Sequence, residues 1–106
     1  KRIFLPGDEN PKVAGQCVIY LRYVTGVDYS GNASEWKSEI NSDSPTKYSI
    51  AVLSVGRWGH IGLVIDEDYS DGKVTIRSRN WEGLWVISDN EFDIGDERIL
   101  GYIKWW

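Results

Sequence analysis

The two most reactive side chains in this 106-residue sequence belong to its single cysteine, Cys17, and its single histidine, His60. Cys17 starts an apolar stripe that continues at Leu21 and Val24, a spacing that predicts one buried face of a helix. The first turn of a helix presents unpaired N–H groups, which favour a thiolate over a thiol. A cysteine there could act as a nucleophile. A buried structural cysteine would fit the same stripe, so the position alone leaves both interpretations open.

His60 follows a glycine at the start of a predicted strand. A partly buried histidine bonded to backbone groups is one interpretation of this position. If the hairpin that follows pairs symmetrically about Ser70, His60 lies opposite Asn80, with Cβ atoms about 4.5–5.5 Å apart. The same register brings Gly62 opposite Ser78, whereas a tighter turn would shift it. Asn80 could then orient the imidazole while the other ring nitrogen faces the thiol, as nucleophilic cysteine chemistry requires.

The elements that must position these side chains are helical first and extended afterwards. The first helix is predicted to run from about Gly15 to Gly26. The run Asn32 to Glu35 is typical of a capping box and predicts a short second helix through Trp36 to about Ile40, with both of these side chains on its buried side. From residue 48 the hydrophobic period changes to that of strands.

Five strands are predicted, over residues 48–55, 58–66, 73–80, 83–88 and 100–106. An irregular lead-in of residues 1–14 precedes the first helix, and residues 90–98 are predicted to be a polar connection. Two helices followed by about five strands on mostly short turns predict one α+β domain over residues 1–106. In this fold the N-terminal helices pack on an antiparallel sheet.

The composition argues against several classes of function. The 16 acidic side chains outnumber the 12 basic ones and no basic stripe is present, which argues against a nucleic-acid partner. No apolar run is long enough for membrane insertion, and no signal-peptide pattern is present. One Cys and one His argue against a closed zinc site. Asp8, Glu9 and Asn10 could ligate calcium, but we favour a solvated loop, so the sequence predicts no cofactor and no metal.

Four short motifs stand in order along nearly the whole chain. They are Gly15-Gln16-Cys17, Gly31-Asn32-Ala33-Ser34-Glu35-Trp36, Trp58-Gly59-His60-Ile61-Gly62-Leu63-Val64 and Val74-Thr75-Ile76-Arg77-Ser78-Arg79-Asn80-Trp81. This series resembles the CHAP family, the cysteine- and histidine-dependent amidohydrolases and peptidases related to the NlpC/P60 group. The closing run Gly101 to Ile103 is similar to the last strand of that family. The resemblance implies a papain-like fold.

The resemblance also implies roles for particular residues. Cys17 is the expected nucleophile, His60 the expected general base, and Asn80 the residue that orients the imidazole. The backbone N–H of Cys17 would bind the oxyanion, with Gln16 as a candidate for the second donor. The expected reaction is hydrolysis of an amide bond in bacterial peptidoglycan through a thioester. That bond is either the N-acetylmuramoyl–L-alanine amide or a peptide bond of the stem or cross-bridge.

Two tryptophans flank the strands that carry the expected site. Trp58 and Trp81 could form the walls of a substrate groove. Packing in the core or at its rim is an equally good interpretation of each.

The sequence departs from the family pattern at Ser78, where the family usually has an acidic residue two positions before its asparagine. Without that carboxylate an imidazolium loses a charged partner, and only the neutral Asn80 remains to orient the ring. Arg77 and Arg79 are predicted to point to the opposite face of the strand, so neither replaces it. A Cys–His–Asn set is still chemically workable, so the sequence predicts a weakened or retuned enzyme.

Three classes of function remain open at this point. The leading one is a monomeric cell-wall hydrolase of the endolysin, autolysin or secreted-toxin type, which by the resemblance would act outside the cell or in the cell wall. The second is a catalytically weakened module that binds wall fragments or a protein partner. The third is an amidase that acts on small polyamine conjugates rather than on the wall.

Overall fold

The structure, a computed structural model, describes residues 17–79, 81 and 86–106. The predictions for the lead-in, for the acidic run of residues 8–10, and for Gln16 and Asn80 lie outside these residues. Helix α1 spans Cys17–Thr25 and a 3-10 helix spans Ala33–Glu39. The strands are β1 (Ile50–Leu53), β2 (His60–Asp68), β3 (Lys73–Arg79), β4 (Ile87–Asp93) and β5 (Ile99–Ile103).

The five strands form one sheet in the order β4-β3-β2-β1-β5. Every pair of neighbours in this sheet is antiparallel. Hairpin connections join β1 to β2, β2 to β3 and β3 to β4, whereas β5 returns across the sheet to pair with β1. The predicted α+β class with an antiparallel sheet of about five strands is confirmed.

Helix α1 contributes the stripe that the sequence predicted. Cys17, Leu21 and Val24 are all buried, and they pack in one apolar cluster with Ile61 and Leu63 of β2. Burying a Leu or Val side chain contributes about 1.5–3 kcal/mol, so this stripe fixes the rotation of the helix about its axis. The N-terminal end of the described helix is therefore held against β2, where His60 begins the strand.

The second predicted helix forms as a 3-10 helix. Asn32 caps it, since its side-chain oxygen accepts a hydrogen bond from the backbone N–H of Glu35 at 3.3 Å. The backbone carbonyl of Asn32 also accepts from that N–H at 3.0 Å, which sets the tighter i to i+3 winding. Trp36 is buried as predicted, and Ile40 packs against the same cluster at the partly buried edge.

The fourth strand lies later in the chain than the sequence predicted. It was expected over residues 83–88, with a polar connection from residue 90, but β4 runs over Ile87–Asp93. In this strand acidic residues pair across the ladder with basic residues of β3. Arg77 bonds Asp89 at 2.6 Å, and Lys73 bonds Asp93 at 2.5 Å. Opposite charges that face each other across two antiparallel strands stabilise the strand pair. The low strand propensity of Asp does not take this pairing into account.

A second apolar cluster covers the other face of the sheet. It comprises Ala51, Leu53, Val64, Val74, Ile76, Phe92 and Tyr102. Both faces of β1 and of the first half of β2 are therefore buried. Strand β3 alternates as predicted, and its buried residues Val74, Ile76 and Ser78 face this second cluster. Within the described residues, none of the helices is long and apolar enough to cross a membrane.

Candidate active site

Cys17 is the first residue of α1 in the described chain, and its side chain is 7% exposed. The backbone N–H of Ile61 hydrogen-bonds to its sulfur, and the N–H groups of Val18 and of Cys17 itself also favour the thiolate. Because Ile61 follows His60 directly, this contact brings the sulfur within one residue of the histidine backbone. The N-terminal end of α1 and the start of β2 thus meet at one end of the sheet.

Burial decides the protonation state of this cysteine. The pKa of the Cys17 thiol is raised above its ordinary value, first of all by desolvation. The backbone N–H groups lower it, as the helix-terminus argument predicts, but by less than burial raises it. The sequence-based expectation that the first helical turn favours a thiolate is therefore outweighed. At neutral pH the free protein holds Cys17 as a neutral thiol.

His60 is the first residue of β2 and lies opposite Leu53 of β1. Its side chain is 8% exposed, and its ring centroid lies 5.1 Å from that of Trp81. Trp81 in turn packs edge-on against Phe92, at 5.3 Å between centroids. Desolvation lowers the pKa of His60 to about 4, so the imidazole is neutral at pH 7. Within the described residues its Nε2 atom is buried with no hydrogen-bond partner.

The pairing of β2 with β3 sets the neighbours of His60. Near the turn Asp66 pairs with Thr75, and beyond it Val64 pairs with Ile76. Ile65 is therefore an extra residue on β2, a β-bulge that shifts the register by one. Past the bulge, the pairing is the symmetric register that the sequence predicted.

In that register Gly62 lies next to Ser78. A Cβ atom built on Gly62 would stand 3.1 Å from the Ser78 Cβ and 2.4 Å from Ile76 Cγ2, so only glycine fits. Ser78 is 2% exposed, and it shares its face of the sheet with Gly62 and His60. Its hydroxyl stands where the family pattern has a carboxylate. Asn80, expected opposite His60, lies outside the described residues.

The described contacts bring the two central residues to one place but do not join their side chains directly. The Cys17 sulfur approaches from the face covered by α1, and its hydrogen bond is to backbone at Ile61. The His60 ring contacts Trp81, which packs against the cluster on the other face. This end of the sheet therefore carries a thiol and an imidazole on either side of one strand end.

A cleft of about 360 Å³ opens at the cysteine. It is lined by Cys17, Val18, Asn32, Ala33, Trp58 and Gly59. Trp58, predicted as a groove wall, is 56% exposed and belongs to this lining. Sequence reasoning interpreted Asn32 only as a helix cap and missed that the same residue lines the cleft. Its position 15 residues after Cys17 carries no periodic signal that could have revealed this.

A backbone hydrogen bond fixes the loop before His60 to the first turn of the 3-10 helix. The backbone N–H of Ser34 donates to the carbonyl of Trp58 at 2.7 Å. Gly59 has a φ of +74°, and a Cβ there would stand 2.8 Å from the Ser34 nitrogen. The close approach and the left-handed backbone both require glycine. This contact positions Trp58 on one side and His60 on the other.

We expect Gly59→Ala to destabilise the protein by about 2 kcal/mol, because the methyl group adds backbone strain and a clash with Ser34. Gly56→Ala is the matched control. Gly56 has a φ of +69° but nothing lies within 4 Å of its Cβ position, so it should cost about 1 kcal/mol. Urea unfolding measures both. Equal losses would contradict the role of the Ser34 contact.

No group of three or more His, Cys, Asp or Glu side chains in the described part of the chain is arranged to hold a metal ion.

A family model described as "CHAP domain" matches residues 7–80, well over half of the chain. The matched span contains Cys17, His60 and Ser78 and ends before β4. No curated protein matches the chain.

Proposed function

Because the chain belongs to the CHAP domain family, whose members are generally amidases and peptidases of the peptidoglycan-hydrolase type, we propose that it is a cysteine-dependent hydrolase of peptidoglycan amide bonds. The bond is the N-acetylmuramoyl–L-alanine amide or a peptide bond of the stem or cross-bridge. The observation that carries this proposal is the cleft at Cys17, which opens beside the strand end that holds His60.

In this proposal the Cys17 sulfur attacks the amide carbonyl. His60 takes the thiol proton, which requires its ring to leave Trp81 and turn towards the sulfur, and passes the proton to the leaving amine. The resulting thioester is hydrolysed by water that His60 deprotonates. The backbone N–H of Cys17 stabilises the oxyanion, with Gln16 as second donor and Asn80 as orienter of the imidazole. Trp58 contacts the substrate from the cleft wall. The fold we propose is the papain-like type of the NlpC/P60 group.

The setting proposed for this reaction follows from the substrate. The protein acts as a monomer outside the cell or in the cell wall, as endolysins and autolysins do, and it needs no cofactor. Digestion of defined muropeptides followed by mass spectrometry tests the proposal. A new amine and a new carboxyl group at one amide bond are the expected products. Muropeptides that keep their mass on prolonged incubation would contradict it.

A second candidate is a catalytically weakened module that binds wall fragments. It is favoured by the two protonation states, since a raised pKa at Cys17 and a pKa of about 4 at His60 make proton transfer unfavourable. The pKa of the thiol therefore lies well above that of the imidazole. Ser78 supplies no carboxylate to reduce this gap. The protein would then bind muropeptides without changing their mass.

Ser78→Glu tests whether the absent carboxylate limits this site. Diagonal neighbours across a strand pair lie within reach of a long side chain, so Glu at position 78 can face His60. A carboxylate there favours the imidazolium, so we expect the pKa of His60 to rise from about 4 towards its ordinary value, and turnover to rise about tenfold. NMR titration of the imidazole and muropeptide cleavage rates measure the two effects.

Ser78→Gln is the matched control, because it has the same size without the charge. Both variants place a longer side chain at a position that is 2% exposed, so any packing cost is shared. If the Glu and Gln variants have the same His60 pKa and the same turnover, the absent carboxylate is not what limits this site.

A further inference from the structure

Arg57 stacks on Trp58, one of the residues that line the Cys17 cleft. Its guanidinium carbon is 4.8 Å from the centroid of the Trp58 ring, and both side chains are exposed. Trp58 is at the same time part of the cleft wall beside Cys17. A positive charge is therefore held against one wall residue of the candidate active site.

The charge of Arg57 is not neutralised by a carboxylate of the described residues. Three other basic side chains there are paired with acids: Lys73 with Asp93, Arg77 with Asp89 and Arg98 with Asp96. Arg57 forms no such pair within residues 17–79, 81 and 86–106. In a chain of net charge −4, an arginine that has no carboxylate partner among the described residues is available for an anionic ligand.

Stacking prepares the guanidinium for a particular kind of ligand. A guanidinium that lies over an indole ring has its plane fixed while its N–H groups point outward at the edge. That edge matches the two oxygens of a carboxylate. The backbone below is also fixed, because the Trp58 carbonyl accepts from the Ser34 N–H at 2.7 Å. The stacking therefore reduces the side-chain freedom that Arg57 would lose when a carboxylate binds.

We propose that Arg57 and Trp58 form a carboxylate-binding subsite, which selects peptides with a free carboxylate next to the amide bond presented to Cys17. This inference rests on the proposed function for its substrate class. It assigns to Arg57 a role in substrate specificity and no role in proton transfer. The ligand is an acidic peptide of the wall, with its carboxylate at Arg57 and its apolar part on the Trp58 ring.

A pair of probes tests the subsite: N-acetylmuramoyl-L-alanyl-D-glutamate and its diamide, which differ only in having two free carboxylates or none. Binding is measured by calorimetry on the Cys17→Ala variant at low salt, so the result does not depend on turnover. We expect the dicarboxylate to bind about tenfold more tightly than the diamide. The difference should shrink as salt is added, since the site is exposed.

Arg57→Ala in the same background should remove this preference and leave binding of the diamide unchanged, while Arg57→Lys should keep part of it. Lys47→Ala is the matched control, because Lys47 stacks on the Tyr48 ring at 5.5 Å but does not line the cleft. Equal affinity for the two probes, or an equal loss for both in Arg57→Ala, would overturn the subsite. Failure of the proposed hydrolysis would be seen separately, as intact muropeptides in the presence of wild-type protein.

Discussion

Replacement of Cys17 by Ala is expected to reduce peptidoglycan hydrolysis by at least about 1,000-fold, because no other described group can form the thioester. The sulfur is the only thiol in the chain, and it lies at the cleft beside the start of β2. Release of soluble fragments from purified cell walls measures the loss, and mass spectrometry of the products measures it at the level of single bonds.

Loss of stability must be separated from loss of chemistry in this experiment, since Cys17 also belongs to the buried stripe of α1. Val24→Ala removes apolar volume from the other end of the same stripe and should cost about 2 kcal/mol. It should leave turnover per folded molecule unchanged. If wild type and Cys17→Ala clear walls at the same rate, the protein is not a cysteine hydrolase.

A drop from pH 7 to pH 4 is expected to lower the free energy of unfolding by about 3 kcal/mol through His60 alone. Its pKa is about 4 in the folded protein, because burial disfavours the charged ring, and about 6.5 in the unfolded chain. Between these values the unfolded state binds a proton that the folded state does not. Stability therefore falls as the pH drops from about 6.5 to about 4 and levels off below.

The single histidine makes this prediction simple to check. Its ring protons give the titration midpoint by NMR, and urea unfolding at a series of pH values gives the free energy. In His60→Gln the slope between pH 6.5 and 4 should be largely lost. Asp96, whose pKa is held at about 2 by Arg98, changes its charge below this window. A titration midpoint near 6.5 would show that the imidazole is solvated, and would contradict the claim that burial of His60 makes stability depend on pH.

Hydrophobic periodicity predicted those parts of the fold that depend on local burial. The spacing of Cys17, Leu21 and Val24 and the alternation of Val74 and Ile76 each report which side of an element faces the core, so both were read correctly. The pairing of Lys73 with Asp93 was not predicted. It depends on a strand whose acidic residues look like a loop until their partners on β3 are known.

The electrostatics of the site were harder to predict than its residues. A cysteine in a first helical turn suggested a thiolate, but how deeply Ile61 and its neighbours enclose the sulfur is a tertiary property. The position of Arg57 over Trp58 is likewise invisible in a sequence, where the two are simply consecutive. Motif order identified the family, whereas burial and stacking determine what this member can do.

The bulge at Ile65 shifts the pairing of β2 with β3 by one residue between the turn of the hairpin and its far end. If the ladder ran on from Asp66 and Thr75 without Ile65 as a bulge, Gly62 would align with Arg79. A cation, and not a hydroxyl, would then sit on the side of the sheet where the imidazole is enclosed. Such a neighbour would repel any proton placed on the ring. The one-residue shift therefore determines which side chain lies beside His60. Inserting or deleting a residue at this point of the hairpin would change the pKa of His60 without replacing His60 itself.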